Sequence, residues 1–258
     1  MELVQAILLG ALQGVTEWLP ISSSGHLALA QHFLGVSPPL LFDLALHAGT
    51  LLALVVFFRK EILELLRALA SLDFQSPAGK LIPLLVLAML PTALIGFAFK
   101  PFFESMFSAP LLVGAALLVN GAFLYLTKFA KAGKELGVIS SLVVGVAQGL
   151  AVAPGISRSG ATISTALLQG VERRKAAVFS FLLAIPAVGG ASAYEFASNS
   201  GSLAGVGSDA LVLGIIVAGI IGYLSLGLLF RVLDSRRFHQ FAYYCWLVGA
   251  VAIALSLQ

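Results

Sequence analysis

Three groups of residues in this chain combine types and spacings that could do chemistry on a charged substrate. Glu17 stands in an apolar run four residues after Gln13, so on a helix both share one face and could reach a metal ion or a polar substrate. A carboxylate at such a place costs roughly 3 kcal/mol unless it meets a partner or a wet cavity. Ser22, Ser23, Ser24 and His26 follow closely. Hydroxyls beside an imidazole are the parts of a nucleophile with its base, or of two donors to a leaving phosphate, and equally the parts of a helix cap. Further along, Arg158 lies between Ser157 and Ser159, directly after Pro154 and Gly155, with Thr162 four residues on. A guanidinium there could grip two phosphate oxygens at once, a geometry that lysine does not reproduce. Thr162 could add a hydroxyl on the same helical face or bond its own backbone. Pairing of Glu17 with Arg158 is the alternative that needs no ligand.

The elements that must position these residues are themselves duplicated. Ile7 to Gly25 recurs as Leu142 to Gly160, with identity at Gly10/Gly145, Gln13/Gln148, Gly14/Gly149, Ile21/Ile156, Ser22/Ser157, Ser24/Ser159 and Gly25/Gly160. Glu17 belongs to the first copy alone and Arg158 to the second. Serines at a break that restarts a helix cap it, and the first-turn N–H groups with the positive dipole end then face an anion. Two such helix starts facing each other make a phosphate cradle, with Gly25 and Gly160 in its backbone.

With 59% hydrophobic and 10% charged residues and a mean hydropathy of +1.02, the chain reads as an integral membrane protein. Charge-poor stretches of spanning length fall at about 42–58, 81–99, 110–127, 176–196, 211–230 and 240–257. The N-terminus opens with Met-Glu rather than a basic patch and is expected to be retained rather than cleaved as a signal peptide. Lys and Arg gather in the connections 59–80, 128–134, 171–175 and 231–237, which the positive-inside rule makes cytoplasmic. Connections 100–109 and 197–210 then face outward, as do both termini.

Two apolar segments, about 3–36 and 139–170, remain. The second lies between two cytoplasmic loops and is expected to enter the membrane and return. The expected fold is therefore all-α and polytopic, one integral membrane domain over 1–258. It is an inverted-topology repeat with halves of about 1–134 and 135–258, each a re-entrant helix hairpin plus three transmembrane helices. The hairpin tips, Pro20 to His26 and Pro154 to Gly160, are expected to be non-helical backbone near the midplane, buried in protein or lining a wet cavity.

Other features carry less. His32, His47 and His239 have no metal-cluster spacing and read as structural. Asp43 and Glu195 fall near the outer ends of their spans, where they could line the mouth of the site. Cys245 has no partner for an intrachain disulfide and reads as a small buried hydrophobe. Scattered basic residues without interleaved aromatics argue against nucleic acid as a partner. No Walker loop, dinucleotide fingerprint, zinc-binding helix or nucleophile elbow is present.

The strings QGVTEWLPISSSGH (residues 13–26) and PGISRSGAT (residues 154–162) resemble those of the undecaprenyl-diphosphate phosphatase family, the bacitracin-resistance type, and the similarity runs over the whole chain. The resemblance implies removal of the terminal phosphate from a C55 isoprenyl diphosphate, regenerating the lipid carrier of cell-wall synthesis at the outer face of the plasma membrane. It implies functional roles for Glu17, His26 and Arg158, a site lined by Ser22, Ser23 and Ser24, and assistance by a divalent cation, Mg or Ca. Many members carry glutamate where this chain has Gln13, which puts a two-carboxylate metal site in doubt. Ser24 replaces a frequent threonine and keeps the hydroxyl.

The expected enzyme has Ser23 as nucleophile, Glu17 as cation ligand or base, His26 as proton donor or base, and Arg158 neutralising the transferred phosphoryl group. Gln13, Ser22, Ser24, Gly25, Ser157, Ser159, Gly160 and Thr162 are expected around the substrate. Undecaprenyl diphosphate and membrane lipid are the expected partners, and a homodimer is compatible with them. The rival expectation is a polyprenyl-phosphate carrier or flippase, which would use the same residues to bind rather than cleave.

Overall fold

The computed structural model describes residues 2–131, 133–198 and 206–257. Its regular elements there are helices, joined by one isolated bridge between Lys134 and Val171. In chain order they are α1 (Leu3–Trp18), α2 (Ser23–Leu34), α3 (Leu40–Phe57), α4 (Arg59–Ala70), α5 (Leu81–Ala98), α6 (Lys100–Phe107), α7 (Pro110–Leu126), α8 (Val138–Leu150), α9 (Arg158–Leu168), α10 (Arg173–Ser198), α11 (Ser208–Asp234) and α12 (Phe241–Ser256). Among the described residues six helices are long and apolar enough to cross a membrane: α3, α5, α7, α10, α11 and α12, with short 3-10 turns extending α7 to Phe129 and α12 back to Phe238. The chain is a multi-pass membrane protein. An 18-residue helix such as α3 is about 27 Å long at 1.5 Å per residue, close to the thickness of a bilayer core.

Two stretches read from sequence as connections are partly helical. Residues 59–80 contain α4, whose Arg59, Lys60, Glu64 and Arg67 alternate with leucines at helical spacing, and residues 100–109 contain α6. Charge had marked both as outside the membrane core, and charge does not forbid a helix there.

The small residues shared by the two sequence copies are packing devices. α1 lies against α11 and α8 against α5. A Cβ on Gly10 would sit 2.5 Å from the Gly214 carbonyl oxygen, and one on Gly145 would sit 2.1 Å from that of Ala88. Only glycine permits such backbone contact, the usual means of joining helices where lipid gives no hydrophobic drive. α7 and α12 meet the same way, with Gly114 against Gly249.

At the centre lies α9, buried from Ser159 to Leu167 and enclosed by α7, α8 and α10. Ile163, Ala166 and Leu167 of α9 join Trp18, Leu54, Phe58, Phe179, Phe181, Leu226 and Leu229 in the largest apolar cluster. A helix with the sequence RSGATISTALL is an unusual choice for such a place, because its first half carries polar residues and a charge. Those residues face the breaks in the chain, where the candidate site is built.

Candidate active site

Both expected breaks exist, but they are shorter at their far ends than the sequence suggested. The chain leaves α1 at Trp18 and is helical again from Ser23; it leaves α8 at Leu150 and is helical again from Arg158. Ser23 to His26 and Arg158 to Gly160 thus form first helical turns rather than irregular tip. The cause is capping by the preceding serines: Ser22 Oγ accepts from Gly25 N–H at 3.2 Å, and Ser157 Oγ accepts from Gly160 N–H at 3.1 Å.

The two breaks are stitched directly to each other. Ser22 Oγ also accepts from Gly155 N–H at 3.0 Å. Ser159 Oγ donates to the Leu19 carbonyl at 3.3 Å, and Ser157 Oγ reaches the same oxygen at 3.5 Å. Gly25 is required where a Cβ would lie 2.9 Å from the Gly155 backbone, and Gly155 has φ 97°, the left-handed region that favours glycine. Asn120 of α7 spans both: its Nδ2 donates to the Pro20 carbonyl at 3.0 Å, and its Oδ1 accepts from Ser157 N–H at 3.1 Å. This clamp satisfies backbone groups that no water reaches.

Stitching brings the chemistry together. Glu17, at the end of α1, receives Arg158 Nη2 on Oε1, and on Oε2 it accepts from Ser23 Oγ at 2.5 Å and Gln13 Nε2 at 2.9 Å. His47 of α3 completes the cluster, its Nδ1 being 3.4 Å from Glu17 Oε2 and 2.9 Å from Gln13 Nε2. The Glu17 side chain is 3% exposed, against 16% for Arg158 and 25% for His47, so the carboxylate is the floor of a site that opens past those two side chains. Arg158 is further held over the Trp18 ring at 5.4 Å. Its Nη1 is buried without an acceptor among the described residues, a donor held ready for an anion.

Several sequence-predicted residues do something other than expected. His26 does not pair with the serine hydroxyls. Its Nδ1 meets the Ser22 carbonyl at 2.8 Å and its Nε2 the Tyr244 hydroxyl at 2.9 Å, with the two rings stacked. Because a carbonyl only accepts, Nδ1 carries the proton and Nε2 of the neutral ring accepts from tyrosine. Ser22, Ser157 and Ser159 are buried and bonded to backbone, and the Thr162 hydroxyl donates to the Arg158 carbonyl at 2.8 Å. Gly25 and Gly160 supply close packing, and their N–H groups are used by the caps. Of the hydroxyls, Ser23 and Ser24 alone are partly exposed, and the Ser24 Oγ lies 3.4 Å from that of Ser22. The cradle is therefore made by the guanidinium and the remaining first-turn amides more than by a ring of serines.

Sequence reasoning missed His47, Asn120 and Tyr244. His47 carried a usable signal, an ionisable residue inside a span and one turn after Asp43. Asp43 accepts from Gln31 Nε2 at 3.0 Å on both oxygens, while Glu195 receives Lys100 of α6. As for a cation, no cluster of three or more His, Cys, Asp or Glu side chains occurs among the described residues. The oxygens that could hold one are the Glu17 carboxylate, Ser23 Oγ and Gln13 Oε1, which is buried and unpartnered. That all-oxygen set fits a hard ion such as Mg or Ca that draws its other ligands from water and phosphate.

Fold and site together define a polytopic membrane protein with a buried acid–guanidinium pair at the junction of two broken helices. Residues 6–251 match the family model of bacitracin resistance protein BacA, and the chain belongs to that family. Relatives named undecaprenyl-diphosphatase are similar over nearly full length. The one from Syntrophotalea carbinolica is 45% identical over 99% of this chain and 100% of its own. The one from Desulforapulum autotrophicum is 42% identical over 98% of each. The archaeal relative from Korarchaeum cryptofilum is 40% identical, covering 99% of this chain and 100% of its own.

Proposed function

We propose that this chain is an undecaprenyl-diphosphatase, hydrolysing the terminal phosphate of undecaprenyl diphosphate to return undecaprenyl phosphate to cell-wall synthesis. The observation that carries the reading is Arg158 Nη1, buried beside the Glu17–Ser23 contact and without an acceptor among the described residues, which the pairing of Glu17 with Arg158 alone leaves unused. The diphosphate seats its terminal phosphate against Nη1 and the first-turn amides of α2 and α9, and the prenyl chain runs out among the lipid-facing helices. Phosphoryl transfer asks mainly for positioning and charge neutralisation, which this arrangement supplies.

Ser23 Oγ attacks the terminal phosphorus as Glu17 Oε2, already its hydrogen-bond acceptor, takes the hydroxyl proton. The bond to the bridging oxygen breaks, and undecaprenyl phosphate leaves. The proton passes from Glu17 to the departing phosphate, and the restored carboxylate then takes a proton from water, which attacks the phosphoserine phosphorus and releases phosphate as that proton returns to Ser23 Oγ. Arg158 balances the charge on Glu17, and His47 packs beside the Glu17–Gln13 contact. His26 is a positioning residue, bracing the Ser22 carbonyl through its bond with Tyr244. When bound by Glu17 and Gln13 Oε1, a divalent cation would add neutralisation of the phosphate oxygens.

The same reading includes an inverted repeat of halves 1–134 and 135–258, each a re-entrant hairpin followed by three spans. Its support is the exchange of partners, α1 of the first half on α11 and α8 of the second on α5, with α7 and α12 meeting through one reciprocal glycine contact. Positive-inside counting then sets the termini and the mouth of the site outside. Glu17 and Arg158 come from one chain, so a homodimer is not needed to bring them together.

The test is release of inorganic phosphate from a polyprenyl diphosphate by purified protein in detergent with Mg or Ca present. Steady release that Glu17→Ala abolishes is the expected result. Substrate binding without release in the parent protein would replace this reading with a lipid carrier.

A further inference from the structure

At the far end of α9 from Arg158, a cavity of about 200 Å³ is lined by Thr127, Lys128, Leu167, Arg173, Arg236, Phe238 and His239, with Ala130. Arg158 and Leu167 are separated along the helix by about 14 Å at 1.5 Å per residue, so this is a separate place from the site above. Three cations and no carboxylate line the cavity. None of the three lies in an ion pair with a described carboxylate; Lys128 Nζ instead rests over the Tyr125 ring at 5.5 Å. The acids nearest in sequence are engaged or turned outward. Glu172 accepts from the amides of Arg174 and Lys175, Glu135 pairs with Lys175, and Asp234 is exposed. Like charges gathered around one partly open cavity repel, and an anion relieves that repulsion.

Arg236 reaches the cavity from the end of α11. It follows α11 at the position where its N–H bonds the Leu233 carbonyl and the next N–H, of Arg237, bonds that of Val232, with φ 59° at Arg236. This is the helix ending that glycine ordinarily occupies, because a left-handed backbone strains any side chain. Leu72 ends α4 in the same way with φ 53°, so it is the side chain of Arg236, lining the cavity, that bears on the site.

We infer that this cavity is a second anion site, which binds a phosphate group. Its volume, several times the roughly 30 Å³ of a water molecule, admits a phosphate with some of its hydration. The phosphate could be the headgroup of an anionic membrane lipid or free inorganic phosphate. Leu167 and Phe238 give an apolar wall, and neighbouring Leu126, Phe129 and Leu168 are exposed, an apolar surface that lipid chains could cover. Basic pockets among helix ends on the cytoplasmic side suit such headgroups.

The test uses the full chain carrying Arg158→Gln, so that the first site is silent, and compares it with the same chain also carrying Arg173→Gln and Arg236→Gly. One arm counts phosphatidylglycerol retained from mixed phosphatidylcholine–phosphatidylglycerol micelles by native mass spectrometry. The other measures inorganic phosphate by equilibrium dialysis. Saturable binding of one molecule, weakened at least about tenfold by the added substitutions, is expected, since each removes a charge-assisted hydrogen bond. Loss in the lipid arm identifies a headgroup site, and loss in the dialysis arm alone identifies a free-phosphate site. Absence of binding in both arms, or affinity unchanged by the substitutions, overturns the inference. Should Arg173→Gln disturb the start of α10, Arg236→Gly alone decides, because it relaxes the backbone. It is expected to hold or raise the thermal midpoint while weakening binding about tenfold, and a residue that only ended the helix would leave binding unmoved.

Discussion

The two broken helices share a sequence and differ in what they do with it. Where the copies agree, the residues build. Ser22 and Ser157 each cap the helix that follows, and Gly10 and Gly145 each press a helix onto a neighbouring backbone. The charges fall where they differ: Glu17 stands opposite Val152, and Arg158 opposite Ser23. The glutamines sharpen the contrast. Gln13 bonds Glu17 and meets His47, whereas both amide atoms of Gln148 are buried without a partner. The duplicated sequence carries its packing residues twice, and its buried acid and guanidinium once each, one in either copy.

The largest effect is expected from giving the first break the residue of the second. Glu17→Val removes the base and leaves Arg158 unpaired, so phosphate release falls about 10³-fold while the protein still elutes as a folded species. Next comes Asn120→Leu. It strands the Pro20 carbonyl and the Ser157 amide, lowers stability by about 3 kcal/mol in detergent melts and, by letting the breaks part, lowers turnover about 10²-fold. Gly10→Ala and Gly145→Ala are expected to destabilise by similar amounts, about 2 kcal/mol each. Unequal melting shifts would mean that the matching glycines do different work. The smallest effect belongs to Gln148→Leu, which exchanges two unsatisfied polar atoms for an apolar side chain and leaves the thermal midpoint level or raised. The same change at Gln13 reduces turnover.

Most of the architecture was legible because lipid imposes strong rules: span length, basic connections and buried charges all leave marks in composition. The six spans, both breaks, and Glu17 and Arg158 as the charges placed at them followed from those marks. The site's interior did not. Asn120 is an ordinary polar residue in an apolar helix until the fold sets both breaks against it, and Tyr244 acquires its partner from a helix more than two hundred positions away. His26 and Ser23 are three residues apart, yet one turns to Tyr244 and the other to Glu17. Spacing predicts which side chains share a helix face; it does not predict which neighbouring element claims them.

The central claim is that an acid from one break and a guanidinium from the other meet in one pocket. Solid-state NMR of the protein in lipid bilayers, with arginine guanidinium nitrogens and glutamate carboxyl carbons labelled, measures that contact directly. A dipolar coupling corresponding to an ion pair within about 4 Å is predicted, lost in both Glu17→Gln and Arg158→Lys. A wild-type spectrum without that coupling, or a coupling that survives both substitutions, would contradict the account.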